Sequence, residues 1–287
     1  KSLKLLIFIF RNIIKKINKK YTIYSSITAG YDSRLLMSAT KFISDEIEYY
    51  TFKLPNLSSN VVDYILPKKI TSDLGLKYKS VKINNLDNEI QKEIIETYDL
   101  PKIRPFQQYK NIFPEKHKPN ILLVGFVSEV AKNYLENVKV KNGKDIVRAV
   151  HLPDNKYLEG YYQEWLDKNK KTIQNFRYEL LDFIHWEQDI TNFAGQNTYY
   201  AHHYVNLFSI FNSREIIKLM LSVNPKFRDG KNTKLFNLLI KNMWPELLNY
   251  PFNPTKKDKI IILMKKIRIY PLYKYLQVKF YKNGEII

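Results

Sequence analysis

Apolar spacing divides the chain into a front half that alternates strand-like and helix-like stretches and a rear half in which strand signals fade. Residues 3–18 repeat apolar positions at helical spacing, with Leu6, Ile9, Phe10, Ile13 and Ile17 on one face. An extended run from Tyr21 to Ile27 follows, rich in β-branched and aromatic residues, then a turn at Ala29-Gly30 and a helical pattern over 33–43. Residues 48–52 read as a second strand, and 54–59 as a loop in which Ser58 or Ser59 is a candidate helix cap. Val61 to Leu74 has helical period, with Pro67 expected to kink it and Gly75 to end it. Residues 78–83 predict a third strand and 89–98 an amphipathic helix. A loop carrying Pro101, Pro105 and Pro114 leads to the short, wholly apolar strand Ile121–Val124.

Strands separated by helices predict βαβ units: an α/β fold with a mainly parallel sheet and helices on both faces. Beyond Asn142 the periodicity predicts helices over 157–166, 174–190, 196–204, 214–222 and 233–248, with breaks at 151–155 and 224–230. The expected organisation is an α/β portion over 1–140, a largely helical C-terminal portion over 141–255 and a basic, apolar tail over 256–287. In that tail, Lys259 to Lys282 alternates Ile, Leu and Tyr with Lys. A packed helix with a solvated basic face is the expectation there, and peripheral contact with a membrane surface the alternative.

Composition narrows the chemistry. At 287 residues the chain can bury a full core, and it contains no cysteine. Disulfides, cysteine nucleophiles, cysteine-ligated zinc and iron–sulfur clusters are therefore excluded within it. The net charge is +19, yet only eight of the 47 basic residues are Arg. A lysine-dominated excess attracts polyanions in general. The scarcity of Arg and the lack of a nucleic-acid-binding module argue against specific nucleic-acid recognition. No apolar run reaches the about 20 residues that span a bilayer. The apolar segment 3–10 lacks a signal-peptide cleavage pattern, so the expected location is cytoplasmic.

The candidate chemistry centres on residues 24–34. Strand, small-residue turn and helix together make an anion site: the helix N-terminus offers unpaired N–H groups and a partial positive charge, and small residues allow close approach. Thr28 and Ser33 add hydroxyls, and Asp32 adds a carboxylate able to hold Mg²⁺ beside a phosphate. Taken alone, these residues also suit an ordinary strand-to-helix turn with a capping Asp. A second strand–turn–helix follows the strand at 121–124, as Gly125-Phe126-Val127-Ser128-Glu129 with Tyr134 beyond it. Glu129 can cap its own helix, or it can meet Asp32 at the same end of the sheet, where two carboxylates would need a cation between them.

Thr28-Ala29-Gly30-Tyr31-Asp32-Ser33 resembles the pyrophosphatase loop Ser-Gly-Gly-x-Asp-Ser of the asparagine-synthetase-like family, with Thr for Ser and Ala for the first Gly. Gly125, Glu129 and Tyr134 fall at the spacing of that family's second motif, Gly-x-Gly-Gly-Asp/Glu followed by an aromatic, and Val127 and Ser128 replace its small glycines. The stretches His185–Gln188, Phe211–Glu215, Trp244–Leu248 and Pro251–Pro254 resemble the helical half of bacterial asparagine-synthase-related proteins, so the likeness runs over about residues 20–255.

The resemblance implies an adenine nucleotide α-hydrolase-like fold and ATP and Mg²⁺ as requirements. It implies that Thr28, Ala29, Gly30, Asp32, Ser33, Phe52 and Gly125 contact the nucleotide, that Asp32 and Glu129 hold the metal, and that Asp32, Ser33 and Glu129 serve catalysis. Phe52 reads equally as a core aromatic. The implied reaction is an amide-forming ligation: a small-molecule or glycan carboxylate is adenylated with release of pyrophosphate, and the acyl group passes to ammonia or an amine, in surface-glycan or secondary-metabolite synthesis. Without cysteine this chain carries no cysteine-dependent glutaminase, so nitrogen would come from a free amine, ammonia or a separate glutaminase. Phe126 stands where true asparagine synthetases keep a glutamate for proton transfer, which an apolar ring cannot perform. Lys231 and Lys234 lie near where the family sets basic residues against phosphates, and solvated surface lysines are the simpler reading of both.

The alternatives are a degenerate, non-catalytic nucleotide-binding or scaffold protein and a tRNA-modifying adenylating enzyme. No Walker loop, Gly-x-Gly-x-x-Gly fingerprint or Gly-x-Ser-x-Gly elbow occurs, and the adjacent His202 and His203 cannot both face one metal from a helix.

Overall fold

The computed structural model describes residues 2–54, 58, 61–98, 106–109, 112–113, 117–132, 135, 139–176, 178–230, 233–254, 269 and 271–272. Pro101, Pro105, Pro114, Tyr134, Lys231, Ser59 and nearly all of the tail read at 259–282 lie outside the described residues. The chain is α/β, as its periodicity predicts. A five-stranded sheet is built from β1 (Thr22–Ser26), β2 (Glu48–Lys53), β3 (Tyr78–Lys82), β4 (Asn120–Leu123) and β5 (Leu207–Phe208) in the order β3-β2-β1-β4-β5, and every neighbouring pair is parallel. β5 was not expected. It is two residues long, lies beyond the region where strand signals fade, and exists because β4 offers it an edge: Leu122 N–H donates to Asn206 O and Val124 N–H to Phe208 O.

The front-half helices follow the apolar spacing. α1 (Ser2–Lys20) buries Leu6, Phe10 and Ile14, α2 (Tyr31–Ala39) is buried over most of its length, and α4 (Asn88–Tyr98) buries Ile94. α3 (Val62–Asp73) runs through Pro67 and is closed by Gly75, whose φ of +66° is the left-handed conformation that glycine adopts freely. Its N-cap is Val61, which makes no side-chain capping bond, rather than the expected Ser58; Ser59 lies outside the described residues. Strand residues alternate between two cores. Tyr24, Tyr50, Val81 and Leu122 join Ile94, Phe106, Tyr109, Phe113 and Tyr200 on one face. On the other face Tyr49, fully buried, bonds Thr40 just after α2, with 2.7 Å between their hydroxyls.

The rear half is helical, as predicted: α5 (Gly143–Ala149), α6 (Lys156–Phe176), α7 (Leu180–Ile184), a π-helical stretch His185–Gly195, α8 (Gln196–Ala201), α9 (Arg214–Leu221) and α10 (Lys234–Met243). The helix read through to Leu248 stops at Met243. Pro245 has no N–H to continue the ladder, and a 3₁₀ turn, Pro245–Asn249, takes over.

The described chain forms two compact units. One comprises Lys1–Lys132 with Trp186–Asn253 and holds the whole sheet; the other comprises Asn133–His185 with Pro254–Ile287. The second has its own core, in which Ile146, Val147 and Ala149 of α5 meet Tyr162 and Trp165 of α6 together with Leu135, Leu181 and Ile184. α5 and α6 approach so closely that a Cβ at Gly143 would lie 2.0 Å from the Glu159 carbonyl oxygen.

Candidate functional site

The strand order reverses direction between β1 and β4, since the chain winds outward from β1 through β2 to β3 and then returns to β4 on β1's other side. At such a switch point the loops leaving the two strands diverge and open a crevice beyond the strands' C-terminal ends. Both predicted motifs leave from these two strands: residues 27–33 follow β1, and residues 124–129 follow β4.

The first loop is tied from within. The Thr28 N–H donates to Ser33 Oγ (3.0 Å), the Gly30 N–H to Thr28 Oγ1 (3.2 Å), and the Ser33 and Thr28 hydroxyls lie 3.0 Å apart. The Ala29 N–H donates to Asp63 Oδ1 at 2.9 Å, from the first turn of α3. A carboxylate oxygen therefore already sits on one loop amide. The methyl of Ala29, the departure from the glycine-rich loop, points into the core, where Ala29 is fully buried, and its backbone is not in the left-handed region. Gly30 is the N-cap of α2 and brings no capping side chain.

Arg34 holds the loop to the end of the sheet-bearing unit. It is fully buried, with its guanidinium donating to the carbonyls of Ala29 (2.9 Å), Tyr250 (2.7 Å), Leu247 (3.4 Å) and Pro251. Phe252 covers it, with the guanidinium carbon 3.9 Å from the ring centroid, and that same ring stacks on Tyr31 at 3.8 Å. Burial pushes the guanidinium down to about 10, so it remains cationic at neutral pH. The Asn253 N–H donates to Ala29 O at 3.1 Å, and a Cβ on Gly30 would come within 3.5 Å of Asn253 Oδ1. The stretch 251–253 thus closes over the loop.

The second motif converges on Asp32. Gly125 lies against it so closely that a Cβ there would be 3.0 Å from both the Asp32 carbonyl carbon and Asp32 Cβ. The backbone then turns through Val127 at φ +76° into the 3₁₀ turn Ser128–Lys132. A β-branched residue is strongly disfavoured there, so Val127 keeps the backbone shape of a glycine without being one. From that turn Ser128 Oγ donates to Asp32 Oδ1 (2.5 Å) and Lys132 Nζ to Asp32 Oδ2 (2.6 Å). Glu129 stands on the same turn, half-buried.

These contacts change the picture for a cation. Asp32 was expected to hold Mg²⁺ together with Glu129, but each of its oxygens already accepts a bond, one of them from an ammonium. Among the described residues no group of three or more His, Asp or Glu side chains could hold a metal ion. The residues present do not fit a resident divalent cation at Asp32. Phe52 stacks on Tyr109 (4.1 Å between centroids) within the aromatic core, and Phe126 packs against that same core. Ser209 Oγ donates to the Phe126 carbonyl at 2.5 Å, which fixes the backbone of the turn.

The convergence of Thr28, Ala29, Gly30, Asp32, Ser33 and Gly125 was legible in the motif spacing. Asp63, Lys132 and Arg34 were not. Lys132 carries a faint signal, a cation one turn past the second acid. Asp63 has none, since α3 meets the loop only through the fold. No protein-family model and no curated protein matches this sequence. Among the described residues, no helix is long and apolar enough to cross a membrane.

Proposed function

We propose that the protein is an ATP-dependent, AMP-forming ligase of asparagine-synthetase-like type, which adenylates a substrate carboxylate and passes the acyl group to ammonia or an amine. The observation that carries this reading is the meeting of both motifs on Asp32 at the crevice between β1 and β4. Two unrelated turns would have no reason to keep a glycine-like backbone at Val127 and a bare Cα at Gly125 against the first turn of α2.

In this reading the phosphates lie at the N-terminus of α2, where the first-turn amides have no capping side chain from Gly30 and the helix dipole favours negative charge. A substrate carboxylate oxygen attacks the α-phosphorus; the bond to the β-phosphate oxygen breaks, and pyrophosphate leaves with the electron pair. The Thr28 and Ser33 hydroxyls and the Lys132 ammonium offset the charge that builds on the departing group. The amine then attacks the acyl carbon, the amide forms, and AMP departs. Phe126 can shield that second step from water but cannot move its proton. The carboxylate's identity, whether sugar acid, amino acid or peptide, is set by surroundings beyond these two loops.

One observation favours a second reading, a nucleotide-free or scaffold role: the amides of residues 28–30 are satisfied from within the protein, one of them by the Asp63 carboxylate. Calorimetry with ATP, followed by a screen of carboxylates for pyrophosphate release, separates the two. Saturable ATP binding that Lys132→Met weakens, with pyrophosphate released in the presence of one carboxylate class, is the expected result. Failure of the folded protein to bind ATP at millimolar concentration would remove the ligase reading and leave the scaffold.

A further inference from the structure

Resting on that nucleotide reading, we infer that the site takes its ligand's phosphates without a divalent cation, the Lys132 ammonium standing at Asp32 where a metal ion would otherwise be held. Three features of the site lead there. First, both oxygens of the Asp32 carboxylate are already engaged: Ser128 Oγ bonds Oδ1 at 2.5 Å and Lys132 Nζ bonds Oδ2 at 2.6 Å. A cation entering at Asp32 must displace an ammonium or sit beside it against like charge.

Second, Lys132 is not one more solvated lysine of a basic protein. Its side chain is only 13 % exposed, and that of Asp32 29 %. It is delivered by the same short turn as Ser128, and that turn is pinned. Gly125 lies against Asp32 at a distance no side chain would allow, and Ser128 Oγ also reaches the Gly125 carbonyl at 3.0 Å. The pair is built into the backbone contact between the ends of β1 and β4. An ammonium has three donors, of which Asp32 Oδ2 takes one. A lysine held this way serves as a fixed point charge for phosphate oxygens.

Third, the loop already receives an anionic oxygen through an N–H donor alone, since Asp63 Oδ1 accepts the Ala29 N–H at 2.9 Å. Amides and one ammonium meet the charge of an anion here, and among the described residues no group of three or more His, Asp or Glu side chains could hold a metal ion.

The test is calorimetry of ATP and of inorganic pyrophosphate binding, in excess EDTA and in excess Mg²⁺. It is paired with a Mn²⁺ titration of the ligand-free protein followed by electron paramagnetic resonance. The expected result is affinity for ATP or pyrophosphate that differs by no more than about threefold between EDTA and Mg²⁺, and no saturable Mn²⁺ site on the wild type. Lys132→Met should weaken binding by about tenfold or more, and Lys132→Arg, which keeps the charge, by only a few fold. Affinity that collapses on chelation, or a saturable Mn²⁺ site lost in Asp32→Asn, overturns the inference. Binding of neither ATP nor pyrophosphate to the folded protein in either buffer removes the nucleotide reading instead. The Mn²⁺ titration then decides the cation question by itself, and being made on the wild type it does not depend on any variant folding.

Discussion

Val127 offers the sharpest check on the geometry of the second motif. It is 8 % exposed and sits at φ +76°, where an L-residue with a branched Cβ is strained. Val130, on the same turn and 2 % exposed, has no positive φ and serves as its control. Truncation to Ala removes two methyl groups at either position and costs about 1–2.5 kcal/mol. Taking Ala on to Gly separates the two sites. At Val130 the change adds chain entropy to the unfolded state and should cost roughly a further 0.5–1 kcal/mol. At Val127 the same penalty is met by relief of a left-handed backbone worth about 1–2 kcal/mol. Val127→Gly should therefore be as stable as Val127→Ala or more stable, by up to about 1.5 kcal/mol, at roughly 2–4 °C in melting temperature per kcal/mol. Urea unfolding of the four variants, with shared m-values, measures the contrast directly. An equal glycine penalty at 127 and 130 would refute the left-handed turn, and with it the claim that the backbone keeps a glycine's shape where the sequence has lost the glycine.

Arg34→Met should destabilise the sheet-bearing unit by about 3–5 kcal/mol, because four carbonyls lose their donor in the interior, and Arg34→Lys should rescue little, since an ammonium cannot span them. A melting temperature near wild type for either variant would contradict that role. Stability should also fall in alkali. Burial raises the Tyr49 phenol above its ordinary value of 10.0, so the folded state keeps a proton that the unfolded state releases. Its contribution is complete below pH 10 and declines above it by about 1.4 kcal/mol per pH unit, and Tyr49→Phe, though it forfeits the bond to Thr40, should flatten the pH–stability curve by that slope. In the second unit, Gly143→Ala forces a methyl onto the Glu159 carbonyl of α6 and should cost about 1–3 kcal/mol or more, read by hydrogen exchange in α5 and α6. Exchange unchanged from wild type would mean that the two helices are not held at that distance.

Much of this protein is local, and what is local was readable. The period-two and period-3.6 spacing of residues 2–98 fixed β1, β2, β3 and the helices between them, because in a doubly covered parallel sheet each element meets the core through its own apolar positions. Gly75 ended α3 as read, by backbone chemistry that belongs to a single residue; the same kind of signal at Pro245 went unread, since the helix expected to reach Leu248 ends at Met243. The loop after β1 and the turn after β4 announced themselves by residue type and spacing, and parallel topology was enough to bring them to one end of the sheet. β5 could not be read, since two residues carry no period and its hydrogen bonds come from β4. The partners of the loop could not be read either. Asp63 reaches the Ala29 amide from 34 positions away, Lys132 reaches Asp32 from 100, and three of the four carbonyls that hold Arg34 come from beyond position 246. Sequence alone therefore determined which groups could carry charge at the crevice. Only the tertiary structure decided which of them neutralise one another, because a carboxylate's partner is set by distance through space, and the folded chain gave Asp32 an ammonium.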